Sequence, residues 1–140
     1  MRRYLVLFVF TVLMSCAQEP ESILEHVNGY WEIDEVIFTD GNKKEYKYND
    51  TIDYIRINDS LQGFRKKLKP GFNSKYVTSK DAEGITVKIE SDSLNFYYKT
   101  PYASWKETVL SADKNSLKVI NDRETIYLYK RYQPIELDLD

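Results

Sequence analysis

The sequence predicts an all-β protein, an antiparallel up-and-down β-barrel of about 8 to 10 strands that follows one short N-terminal helix. Turn-forming residues such as Asp40–Asn42 and Pro70–Gly71 recur at intervals of about 8 to 12 residues, which is typical of sandwiches and barrels. These intervals are too short for crossover helices, so a parallel sheet is disfavoured. The 12 tyrosines also favour strands, and closing so many strands into a barrel removes exposed edges.

Apolar and polar residues alternate along several predicted strands, as expected where one face is buried and the other is solvated. The expected inner faces contain Ile55, Ile57, Ile85, Val87, Ile89, Leu94, Phe96 and Tyr98. Upstream, Ser22 and Glu25 match a Ser-x-x-Glu capping box, which predicts a helix that begins there and ends at Asn28–Gly29. We therefore predict a single barrel domain over residues 22–132 and an acidic tail at residues 133–140.

The first 15 residues have the composition of a secretory signal peptide. Arg2 and Arg3 are followed by a nearly unbroken apolar run of eleven residues, 4–14, and the small residue Ser15 precedes Cys16. A transmembrane helix needs about 20 apolar residues, so this run is too short to span a membrane. We predict that residues 1–15 are removed and that residues 16–21 form a short tether.

Leu13–Cys16 resembles the lipobox of bacterial lipoproteins. That resemblance implies a diacylglycerol group in thioether linkage on Cys16, usually with a third acyl chain, such as palmitate, on its amine. These chains would anchor the protein in a membrane, which is therefore an expected partner. In enterobacterial lipoproteins an Asp directly after the lipidated cysteine retains the protein in the inner membrane. Ala17 occupies that position here, so the resemblance implies the outer membrane. Residues 17–21 are also similar to the surface-export signals of lipoproteins from the Bacteroidetes group.

Composition argues against several function classes. Removing Arg2 and Arg3 leaves 18 basic residues against 22 acidic ones, and the resulting net charge of −4 argues against a nucleic-acid binder. A single cysteine forms no intrachain disulfide, and His26, the only histidine, cannot build a zinc site. Neither a Gly-x-Ser-x-Gly elbow nor a Gly-rich phosphate loop occurs. We expect no cofactor, no metal site and no catalytic activity.

Gly29, Tyr30 and Trp31 look like the Gly-x-Trp motif that begins the first strand of lipocalins. Over residues 23–132 the chain resembles the small lipocalin-like lipoproteins of Bacteroidetes, although it lacks the disulfide and C-terminal helix of standard lipocalins. The resemblance implies that Trp31 lies at the closed end of the barrel and that Arg131, late in the last strand, packs across it. It also implies a barrel that binds a small hydrophobic or aromatic ligand or serves as an interaction module of the cell envelope.

The candidate ligand-binding residues are aromatic or acidic. The aromatic ones either line a cavity or pack as core: Tyr97, Tyr98, Tyr102, Trp105, Tyr127 and Tyr129. Glu35 and Glu107 share the parity of apolar strand neighbours, so each is either turned outward by a β-bulge or meets a cation or polar ligand inside. Two inward carboxylates also permit glycoside hydrolysis, which is the weakest alternative.

The residues 65–69, Arg-Lys-Lys-Leu-Lys, form the main basic cluster. Lysines on an exposed strand guard against edge-to-edge pairing, and we expect that role here, with an anion-binding or partner surface as the alternative. The competing function is a protein-binding lipoprotein, either an inhibitor of an envelope hydrolase or an accessory subunit of a surface complex. Such a protein would bind its envelope partner through loops such as residues 66–74.

Overall fold

The computed structural model describes residues 17–71 and 76–133. Within them lie helix α1 (Pro20–Val27) and nine strands: β1 (Gly29–Ile37), β2 (Lys43–Glu45), β3 (Ile52–Ile57), β4 (Gln62–Pro70), β5 (Tyr76–Glu90), β6 (Ser93–Lys99), β7 (Ser104–Ala112), β8 (Ser116–Asn121) and β9 (Ile126–Arg131). The predicted signal peptide, Cys16 and the tail from residue 134 lie outside the described residues. No described segment forms a helix with the length and hydrophobicity needed to span a membrane.

The sheet closes on itself as an up-and-down barrel. From β3 to β9 each strand pairs antiparallel with the next, β3 pairs with β1, and β9 returns to β1 from Trp31↔Arg131 to Ile37↔Ile126. Eight strands therefore form the closed barrel, and β2 is an additional short strand that extends β1. The predicted all-β antiparallel barrel with one short helix is confirmed.

Strand β1 has two different neighbours along its β3 side. Gly29–Trp31 pairs with β3, whereas Glu35–Ile37 pairs with β2, and the register toward β9 shifts between Ile33 and Glu35. The loop of residues 46–51 fills the gap, since the Asn49 side chain donates to the Ile33 carbonyl at 2.8 Å. β1 and β3 thus diverge beyond Trp31.

The two ends of the barrel differ in composition. At one end α1 buries Ile23 and Val27 against an apolar core that includes Trp31, Ile57, Leu94, Phe96, Val109, Ala112, Leu117 and Val119. We call this the helix end. The opposite end, where β1 finishes at Ile37 and β3 starts at Ile52, is called the mouth.

The predicted start of the helix is wrong. The helix begins at Pro20, and Glu19 is its N-cap residue without a capping side-chain hydrogen bond, so Ser22 lies inside the first turn. Proline at the first helical position has the φ angle that a helix needs, which outweighs the Ser-x-x-Glu pattern. Gln18 is also fixed, because its side chain donates to the Ala112 carbonyl at 2.7 Å and accepts from the Ala112 N–H at 3.2 Å.

Trp31 and Arg131 complete the C-terminal end of α1. Trp31 Nε1 donates to the Val27 carbonyl at 2.9 Å, and Arg131 donates to the carbonyls of His26 and Asn28 at 2.9 and 2.8 Å. These are among the carbonyls that the end of a helix leaves without partners. The Arg131 guanidinium also lies 3.7 Å from the centroid of the Trp31 ring, which is the contact that the sequence predicts.

Gly29 is required by the same contact. Its φ of +130° is unfavourable for other residues, and a Cβ atom there would lie 2.5 Å from Arg131 Nη1. Both defined positions of the Gly-x-Trp pattern, Gly29 and Trp31, are therefore explained by their contacts with the Arg131 side chain of the last strand.

Replacing Arg131 with Met is expected to lower the free energy of unfolding by about 2 to 4 kcal/mol, because helix carbonyls lose their donors and Trp31 loses its cation. Urea unfolding followed by circular dichroism measures the change. The control is Lys130→Met, which removes an exposed ammonium that pairs with Glu32 and Asp34. A loss no larger in the Arg131 variant than in the Lys130 variant would contradict this role.

Candidate functional site

A cavity of about 360 Å³ lies on the mouth side of Trp31, where β1 and β3 diverge. Segments of four strands, β1, β3, β4 and β9, and the 46–51 loop form its walls. The lining residues are Trp31, Ile33, Val36, Tyr46, Asn49, Asp50, Thr51, Asp53, Lys67, Tyr127 and Tyr129. We refer to this space as the mouth cavity.

The two walls of the mouth cavity differ in chemistry. Ile33 and Val36 of β1 and the rings of Tyr127 and Tyr129 of β9 make one wall apolar and aromatic. The opposite wall is polar, and the 46–51 loop, Asp53 and Lys67 form it. Ligand sites of small molecules commonly combine an apolar lining with a few polar groups that fix orientation.

Asp53 supplies a buried carboxylate to the polar wall. It pairs with Trp31 of β1 on one side and with Lys67 of β4 on the other. Its side chain is 6 % exposed, whereas the Lys67 side chain is 53 % exposed. The Lys67 ammonium contacts Asp53 Oδ1 as an ion pair.

Asp53 also sets the electrostatics of the aromatic wall. Burial first, and then the negative charge of Asp53, raise the pKa of Tyr129 above its ordinary value. Tyr129 is therefore a neutral phenol at physiological pH, and a neutral phenol can donate or accept a hydrogen bond.

A second group of charges lies beside the mouth cavity in the barrel interior. Arg65 Nε donates to Glu83 Oε2 at 2.5 Å, and Arg65 Nη1 lies 3.5 Å from Glu107 Oε2. The Tyr98 hydroxyl donates to Glu107 Oε2 at 3.1 Å, and the Arg65 guanidinium lies 4.4 Å from the centroid of the Tyr98 ring. We call these four residues the Arg65 cluster.

The structure corrects the prediction for Arg65 and decides between the two alternatives for Glu107. Arg65 was expected on an exposed strand, but β4 lies between β3 and β5 and its alternation turns Arg65 inward opposite Ile55. Glu107 follows the second of its two predicted alternatives, because it is buried and meets a cation rather than being turned out by a bulge.

Glu35 follows the other alternative. The register shift between Ile33 and Glu35 brings Val36, rather than Glu35, into the lining of the mouth cavity. The Glu35 carboxylate instead pairs with the exposed Lys43 ammonium at 3.4 Å. The two carboxylates that the sequence singled out therefore do not face each other across one site.

The predicted aromatic residues divide into three groups. Tyr127 and Tyr129 line the mouth cavity. Tyr98 and Trp105 stack on each other instead, with ring centroids 5.1 Å apart and an angle of 8° between the planes. Tyr97 donates to Glu90 outside the barrel, and Tyr102 is 96 % exposed, so neither belongs to the cavity.

Sequence reasoning missed Asp53 and the 46–51 loop, and it placed Lys67 in an exposed basic cluster rather than beside Asp53. A usable signal was present for Asp53, because it shares the strand parity of Ile55 and Ile57, which were expected inside. Asp53 pairs with Lys67 across β3 and β4, so both point inward together. The loop gives no comparable signal, since its position depends on β2 pairing with the far half of β1.

The pH dependence of stability tests the Arg65 cluster. Burial raises the pKa of Glu107 above its ordinary value, although Arg65 and the Tyr98 hydroxyl oppose the shift. A raised folded pKa gives stability that is fully present below the unfolded pKa of about 4.3 and is lost as the pH rises through the folded pKa. The stability of the wild type relative to Glu107→Gln is therefore expected to fall as the pH rises through that window.

Urea unfolding at a series of pH values measures this difference. Glu90→Gln is the matched control, for which the pH dependence of stability is expected to have the opposite sign. The hydrogen bond from Tyr97 holds the pKa of Glu90 below its ordinary value. Wild-type stability relative to that variant is expected to fall as the pH drops. A Glu107 difference that stays constant or rises with pH would contradict the assignment.

The comparison with protein families agrees with this architecture. The model of the family described as "Lipocalin-like domain" matches residues 27–119. Among solved structures the chain is similar to a lipocalin-like protein from Bacteroides uniformis, at 8% identity and a TM-score of 0.47, covering 75% of this chain and 97% of that one. No curated protein matches. The family match spans more than half of the sequence, and the chain belongs to the lipocalin-like domain family.

Proposed function

We propose that this protein is a membrane-anchored lipocalin-like protein that binds a small hydrophobic or aromatic ligand in the mouth cavity. The observation that carries the proposal is a cavity with one aromatic wall and one polar wall inside a closed barrel. Its volume of about 360 Å³ lies near the lower end of the range for ligand pockets, about 300 to 1,000 Å³. The expected ligand is therefore small.

The contacts of the interior support a binding function over a catalytic one. Glu107, the buried carboxylate that the sequence offered for acid–base chemistry, is engaged by Arg65 and by the Tyr98 hydroxyl. A general acid or base needs a substrate within hydrogen-bond reach, and Glu107 is not among the residues that line the mouth cavity.

The anchor is proposed on Cys16, from the lipobox resemblance of Leu13–Cys16. Since Gln18 is hydrogen-bonded to Ala112, only Ala17 separates Cys16 from the folded domain. Acyl chains on Cys16 would then hold the helix end near the bilayer and leave the mouth facing the aqueous side. We infer an outer-membrane lipoprotein. The similarity of residues 17–21 to surface-export signals supports exposure on the cell surface.

Filling the mouth cavity is expected to weaken ligand binding. Ile33→Trp adds a large side chain to the apolar wall, so the affinity for indole, a small neutral aromatic probe, should drop by at least about tenfold. Isothermal titration calorimetry of the full chain in a nonionic detergent, with micelles alone as the blank, measures the affinity.

The matched control is Leu110→Trp, because Leu110 is 41 % exposed and does not line the cavity. It should bind indole as the wild type does. Equal binding by wild type and Ile33→Trp would place the ligand elsewhere and contradict the proposal.

The anchor has its own test. Cys16→Ser removes the thiol that takes the lipid, so the protein should leave the membrane fraction of its host, because two acyl chains are needed for stable anchoring. Ser15→Ala keeps a small residue before the cleavage point and serves as the control that remains in membranes. Retention of the Cys16 variant at the wild-type level would defeat the lipoprotein assignment.

A further inference from the structure

The carboxylate of Asp53 gives the mouth cavity a charge preference. It extends from β3 to the side of Trp31 and is 6 % exposed, so it is almost wholly withdrawn from bulk water. A buried carboxylate is costly unless a cation accompanies it. In the described structure the cation beside it is the Lys67 ammonium, whose side chain is 53 % exposed.

The surrounding charges make the cavity negative. Its lining contains two carboxylates, Asp50 and Asp53, against one ammonium, Lys67. The neighbouring Arg65 cluster adds two further carboxylates and a single guanidinium. The negative charge of Asp53 also contributes to the raised pKa values of Tyr129 and Glu107, after burial as the larger cause. A cationic ligand is therefore favoured over an anionic one.

Lys67 is suited to leave when such a ligand arrives. It lies directly across from Asp53 in the β3–β4 pairing, and its long, flexible side chain is half-exposed. Its half-exposed ammonium can be hydrated fully at little cost once another cation neutralises Asp53. An anionic ligand has no equivalent place, because it would have to compete with Asp53 for Lys67 while facing Asp50.

We propose that the mouth cavity selects small aromatic amines, with the ligand ammonium replacing Lys67 at Asp53 and the ligand ring lying against Tyr127, Tyr129 and Trp31. This inference rests on the proposed binding function and specifies its ligand class. Charge-assisted hydrogen bonds to a buried carboxylate give orientation as well as affinity. Aromatic side chains also attract a cation that lies over their faces.

Three probes that share one ring system test the charge preference by calorimetry on the full chain in nonionic detergent. Tryptamine carries an ammonium, indole carries no charge, and indole-3-propionate carries a carboxylate on a chain of matched length. Tryptamine should bind at least about tenfold more tightly than indole, as expected of a charge-assisted hydrogen bond, and indole-3-propionate should bind more weakly than indole.

Two variants assign the preference to the Asp53–Lys67 pair. Asp53→Asn should bring the affinity for tryptamine down to that for indole, and thermal unfolding of the variant verifies that it is folded. Lys67→Met removes the competing ammonium and should strengthen tryptamine binding severalfold. Asp34→Asn makes the same change of charge at an exposed position outside the cavity and should leave all three affinities unchanged.

The outcomes separate this inference from the function on which it rests. Equal binding of tryptamine and indole, or tightest binding of indole-3-propionate, overturns the amine preference and leaves the binding function intact. Weaker tryptamine binding by Lys67→Met also overturns it. Binding of none of the three probes overturns the amine site and the proposed function together.

Discussion

The contact of Arg131 with Trp31 and the end of α1 is the interaction on which the rest of the structure depends. One guanidinium from the last strand satisfies carbonyls of the first helix and covers the ring that begins the first strand. It therefore joins the N-terminal and C-terminal parts of the barrel domain at the helix end, where Trp31 of β1 pairs with Arg131 of β9. The aromatic wall of the mouth cavity is built on the same two strands, so the cavity exists only if this closure holds.

The barrel interior has an apolar part and a charged part. Toward the helix end the core is apolar, and burial there stabilises the fold. Toward the mouth the interior carries Asp53, Glu83 and Glu107 against Arg65 and Lys67, an arrangement that an apolar core of the same volume would match or exceed in stability. Under the proposed function, these charges select the ligand rather than hold the barrel together.

The sequence predicts the fold well because strand alternation and turn spacing are local patterns. It also predicts the contact of Arg131 with Trp31, since in an up-and-down barrel the end of the last strand lies beside the start of the first. It does not distinguish Glu35 from Glu107, because both share the parity of apolar neighbours. Long-range strand pairing decides which of the two is buried. A register shift in β1 turns Glu35 outward, whereas Arg65, which lies inside opposite Ile55, provides a cation for the buried Glu107.

The central claim is that the closed barrel holds a small molecule, and native mass spectrometry of the protein isolated from its own membranes tests it most directly. If the barrel binds a ligand, the spectrum shows a chain that carries one small molecule, which is released when the barrel is unfolded in the gas phase or in denaturant. A chain that carries no small molecule, and that is instead recovered with one stoichiometric protein partner, would contradict ligand binding and favour a protein-binding lipoprotein.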